Sequence, residues 1–138
     1  MGRVINPDAP GKSRNTQVKT ILFAIRELMR QTKPDETSKD LASFVGLTLL
    51  DINCSVDQSV EAWEKRGYWL KADRFRLEWE WSGQVGNELC EAVKMQDWGV
   101  IANLTALVAQ KFSNTTIPKT NKMGPVWNGY YKRLVNLK

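Results

Sequence analysis

The chain contains no histidine among its 138 residues. That absence excludes Ser-His-Asp hydrolysis, His-ligated zinc or iron, the Glu-x-x-His di-iron sites of ferritin-like bundles and a histidine base working near neutral pH. Cysteine is almost as scarce, with only Cys54 and Cys90. Two thiols without a C-x-x-C spacing cannot close a structural zinc site. Both fall within helical patterns, so they read as small buried hydrophobes. Cys54, on an apolar face, has no histidine to activate it as a nucleophile. No glycine-rich stretch matches a P-loop or dinucleotide fingerprint, since Gly83-x-x-Gly86 is too short.

Long hydrophobic runs are also missing. The longest, about 41–50 and 98–109, fall short of the roughly 20 residues that a membrane span needs. The first residues lack the apolar core of a signal peptide, and Asn6 stands where a myristoylation motif wants Ser or Thr. No membrane partner and a cytoplasmic location are therefore expected, and no cofactor is implied.

What is present is an ordinary globular balance, 42% hydrophobic and 25% charged, in a length that suits one domain. Residues 1–13 read as an irregular basic arm, because Asn6-Pro7-Asp8-Ala9-Pro10-Gly11 is dense in turn formers. A helix is expected to start near Asn15 or Thr16. Its apolar face is Val18, Ile21, Leu22, Ile25, Leu28 and Met29, and Lys33-Pro34 ends it. Asp35 to Ser38 supply the cap of a second helix with the face Leu41, Phe44, Val45, Thr48, Leu49, Ile52, Val56, Val60 and Trp63. Its end is marked by Lys65-Arg66-Gly67, and its length suggests a break near 53–55.

The third segment is ambiguous. Residues 74–81 alternate polar and apolar, which is a strand signature, and a short β-hairpin at about 68–81 is the alternative reading. Good helix formers, possible Arg74–Glu78 and Arg76–Glu80 pairs and the absence of a hairpin turn favour helix. Gly83 and Gly86 are then candidate interruptions. Asp97 caps a last helix bearing Trp98, Ile101, Leu104, Leu107, Val108 and Phe112. The expectation is an all-α, four-helix-type antiparallel bundle over 14–113, followed by an irregular basic aromatic tail at 114–138.

The six tryptophans exceed what a chain this short usually carries, and most read as core residues. In a helix, Trp79 and Trp81 point in nearly opposite directions, so one of them is expected to face solvent or a partner. Trp63 and Trp69 read as a packed corner where two helices meet.

The net charge of +5 is segregated: residues 1–33 carry +5, 34–97 carry −6 and 98–138 carry +6, with no acid after Asp97. Such asymmetry points toward a polyanion. In the tail, Lys119, Lys122, Trp127, Tyr130, Tyr131, Lys132 and Arg133 interleave cations and rings, the mixture that holds single-stranded nucleic acid. Arg3, Lys12 and Arg14 repeat the basic part at the other end. Equally, both ends can fold back on the acidic middle of the same chain.

The catalytic-looking residues are carboxylates. Glu61-x-x-Glu64 and Glu88-x-x-Glu91 each place two acids on one helical face, where a second such helix lets them hold Mg²⁺. This pattern resembles that of the all-helical nucleoside triphosphate pyrophosphohydrolases, and the resemblance implies Glu61, Glu64, Glu88 and Glu91 as metal ligands. Glu91 stands where that family usually has aspartate, and Gly67 falls between the pairs. The resemblance covers about eight residues.

Three functions follow in order. The first is a non-enzymatic helical protein binding nucleic acid, RNA above all, through basic extensions. The second is a protein–protein adaptor or homo-oligomer using a Trp-rich surface with Trp79 and Trp81. The third is a Mg-dependent nucleotide phosphohydrolase.

Overall fold

The computed structural model describes residues 9–117, 119 and 124–137. Its elements are all helices: α1 (Ala9–Arg30), α2 (Glu36–Lys65), α3 (Trp69–Lys94), α4 (Trp98–Lys111) and the short α5 (Tyr130–Val135). The all-α bundle expected from periodicity is therefore what forms. No strand occurs among the described residues, and the hairpin alternative at about 68–81 is wrong.

The helix wins there because its inner face is bought by tertiary contact. Ala72, Ser82, Val85, Gly86, Leu89 and Cys90 of α3 are buried, at a helical repeat, against α2. The expected Arg74–Glu78 and Arg76–Glu80 pairs do not form. Arg76 instead bridges Asp73 at 2.8 Å and Glu64 of α2 at 3.0 Å.

The α2–α3 hairpin is the most extensive contact in the molecule. Two expected breaks are absent, since α2 and α3 each run uninterrupted. The glycines serve packing instead. A Cβ on Gly86 would lie 3.0 Å from Leu50 Cδ2 and 3.1 Å from the Gly46 carbonyl, and one on Gly46 would lie 2.9 Å from Cys90 Sγ. Backbone meets backbone at this crossing, and there is no room for a methyl group.

α1 packs on α2, α4 packs on α3, and α5 packs on α2, while α1 and α4 touch each other little. Ile21, Leu41, Leu49, Ile52, Leu89, Ile101 and Leu134 are the largest fully buried apolar side chains. Each Leu or Ile so buried stabilises by about 1.5–3 kcal/mol.

Local signals set most helix ends. The Asp35 carboxylate accepts from Ser38 N at 2.9 Å and that of Asp97 from Val100 N at 3.2 Å, both as N-caps. Gly67, at φ +82°, allows the tight turn that ends α2.

Three expectations are corrected. α1 begins at Ala9 rather than near Asn15, because Pro10 falls in the first turn, where its missing N–H costs nothing. Met29 is 81% exposed rather than core, since α4 does not close over that end of α1. Cys54 is exposed on α2, whereas Cys90 is buried. Among the described residues, no helix is long and apolar enough to cross a membrane.

Candidate binding surfaces

The basic aromatic tail lies on the body. Trp127 is buried and Leu134 fully so. Tyr130 meets Phe44 of α2 edge-on, with ring centroids 4.8 Å apart, and the Lys39 ammonium stands 5.2 Å from the Tyr131 ring centroid. Asp40 accepts the backbone N–H groups of Gly129 and Tyr131. Trp127, Tyr130 and Tyr131 are thus engaged with the fold rather than presented as free stacking rings. Lys119, Lys132 and Arg133 are exposed, with Arg133 lying over Tyr130.

At the other end of the chain, Arg14 is half-buried, donates to Ser55 Oγ and lies 5.0 Å from the Phe75 ring centroid. Burial lowers its guanidinium pKa from the ordinary value. Lys12 belongs to the backbone of α1, and Arg3 and Lys122 lie outside the described residues. The nominated cations and rings therefore do not share one free surface.

The four glutamates do not converge either. Among the described residues, no group of His, Cys, Asp and Glu is arranged to hold a metal ion. Glu61 pairs with Lys65, Glu64 with Arg76 and Glu91 with Lys94, while Glu88 accepts from Gln84. Each acid is tied to a neighbour on its own helix or across the hairpin, and the four do not form the ligand set that the resemblance implies.

Trp79 and Trp81 do not point apart. Their indoles stack with centroids 6.5 Å apart and planes 17° apart, and both rest on Phe112 at the end of α4, at 6.0 and 5.3 Å. Their long side chains swing along α3 to reach that ring, which helix spacing alone does not reveal. Both are half-buried. They form one wall of a cavity of about 280 Å³ between α1, α3 and α4, whose rim carries Lys19, Lys111 and Glu78.

From this cleft a row of rings runs back along α3. Trp79 neighbours Phe75 at 6.5 Å, and Phe75 meets Trp63 at 5.0 Å. Lys71 caps Trp63, with its ammonium 4.6 Å from the ring centroid. The row ends at the α2–α3 corner.

No family model, curated protein or solved structure matches this chain.

At the corner, the packed arrangement expected for Trp63 and Trp69 holds for Trp63 alone. Tyr68 is 55%, Trp69 61%, Leu70 65% and Leu77 68% exposed. The reason is position: Tyr68 caps and Trp69 opens α3 directly after the Gly67 turn, and Leu70 and Leu77 lie seven residues apart on the outer stripe of α3. The Leu70–Leu77 spacing, legible in the sequence, is the signal that could have located this patch. A second open trough, about 600 Å³, lies between α1 and α4 beside Met29, Ala102 and Ala106.

Proposed function

We propose that the protein is a non-enzymatic helical binding protein whose docking face is the α2–α3 corner and the outer stripe of α3. Its first partner is a second copy of the same chain. The observation that carries this reading is the exposure of four large apolar side chains, Tyr68, Trp69, Leu70 and Leu77, at one helical junction and along α3. Patches of this kind mark interaction sites, and Trp, Tyr and Arg are the residue types that anchor them.

Charge favours a second copy. On the outer stripe, Arg74 lies three residues before Leu77 and Glu80 three residues after it. Both are exposed, and among the described residues neither takes part in an ion pair. Two α3 helices apposed antiparallel with Leu77 on the two-fold axis place each Arg74 opposite the other copy's Glu80. A two-fold interface requires such self-complementarity. Free Cys54 and Cys90 suit a reducing, cytoplasmic setting for this protein.

Sedimentation velocity across a concentration series tests the reading. The mass is expected to rise toward twice that of the chain, and Leu77→Glu is expected to hold it at one chain with unchanged helical circular dichroism. A single-chain mass throughout, with salt-sensitive binding of single-stranded RNA, would instead move the function to Lys119, Lys132 and Arg133.

A further inference from the structure

We infer that the cleft between α1, α3 and α4 is a binding site for a nucleotide-class ligand, meaning a planar aromatic ring that bears amino donors and an anionic group. The cleft is built on Trp79, Trp81 and Phe112, whereas the dimer face is carried by Tyr68, Trp69, Leu70 and Leu77, and only Glu78 borders both.

The wall of the cleft is aromatic. Trp79 and Trp81 stack on each other and on Phe112, so the indoles are held in place before any ligand arrives. Preorganised rings of this kind accept a base by stacking. The volume, about 280 Å³, suits one ring system with its substituent rather than a larger molecule.

The rim is charged in a specific way. Lys19 comes from α1, Lys111 from the last turn of α4 and Glu78 from α3. Among the described residues, no ion pair joins Glu78 to either lysine or to any other cation. Lys111 instead hovers over Trp81, 5.8 Å from the ring centroid. Among the described residues neither Lys19 nor Lys111 takes part in an ion pair, so the two ammonium groups offer an anion such as phosphate a place to bind. A lone carboxylate beside them is an acceptor for an exocyclic amino group, the pairing by which Glu and Asp recognise amino-bearing bases. The same chemistry is offered by a free nucleotide and by one residue of a single strand.

Isothermal titration of the full chain with AMP, IMP, adenosine and hexa-adenylate tests the site, with tryptophan emission as an independent readout. AMP is expected to bind saturably and to change the emission. Adenosine, which lacks the phosphate, and IMP, which lacks the amino group, are each expected to bind at least about fivefold more weakly. Lys111→Gln is expected to weaken AMP by a similar factor, and Glu78→Gln to erase the preference for AMP over IMP. Hexa-adenylate binding much tighter than AMP would name a strand as the source, and equal affinity per site a free nucleotide. Absence of saturable AMP and hexa-adenylate binding by a chain with native circular dichroism overturns the proposal. Binding indifferent to both substitutions overturns it equally.

Discussion

Asp40 closes the fold on Tyr131: its Oδ1 accepts the Tyr131 backbone N–H at 2.9 Å, while Oδ2 accepts that of Gly129 at 3.1 Å. A carboxylate from α2 thus caps the first turn of α5, whose orphan N–H groups have no side-chain cap of their own. Asp40→Ala is expected to remove about 1.5–3 kcal/mol of docking free energy, the worth of hydrogen bonds to a charged group. Hydrogen exchange at 126–137 should quicken and Trp127 emission should shift red, while α2 and α3 stay protected. Unchanged exchange in the tail would contradict this role for Asp40.

The crossing of α2 over α3 leaves no space at Gly86. Gly86→Ala gains helix propensity, about 1 kcal/mol, but forces a methyl against the Gly46 carbonyl, a backbone atom that cannot swing aside. Overpacking costs about 1–3 kcal/mol and is expected to prevail. Urea unfolding should show a lower midpoint at unchanged slope. A higher midpoint would mean that the helices separate freely.

The two thiols should behave differently. Burial pushes the Cys90 thiol up to about 11, with Glu91 adding to it and Lys94 opposing, whereas Cys54 is exposed. Since the thiolate is the reactive form, an aromatic disulfide reagent at pH 8 is expected to titrate one thiol promptly and the second only on unfolding. Cys54→Ser should abolish the prompt reaction.

Acid stability should depend on Asp35. The hydrogen bond from Ser38 N holds its carboxyl below the ordinary range, with the Ser38 hydroxyl adding to it. A lowered folded-state value means that the contribution is present above the unfolded pKa of about 4 and is lost as pH falls through the folded value. Asp35→Asn keeps a capping oxygen but no charge. The stability gap between the two proteins is therefore expected to be constant above about pH 5 and to close in stronger acid. A gap that persists unchanged to low pH would contradict the assignment.

Much of the fold is legible in the sequence because it is periodic. The buried face of α2, from Leu41 to Val60, and the caps Asp35 and Asp97 are local patterns with local causes. The segment 74–81 is not legible in this way, since its alternation also fits a strand and only its packing against α2 makes it helical. Only three-dimensional packing decides the rest. Phe112 gathers Trp79 and Trp81, Asp40 finds Tyr131 at the far end of the chain, and Lys19 and Lys111 line one cleft because α1 packs on α2 and α4 on α3 of the same hairpin. The exposure of Trp69 and Met29 is equally non-local, being set by which helix fails to cover them.

The most direct test of the docking face is a charge exchange on α3, read by sedimentation equilibrium. Arg74→Glu alone is expected to weaken self-association at least tenfold by setting like charges opposite one another, about 1.4 kcal/mol. Adding Glu80→Arg to the same chain restores the opposition with reversed sign and is expected to restore the dimer. If the double variant stays as weak as the single one, or if neither changes the mass, the antiparallel pairing of α3 about Leu77 is wrong.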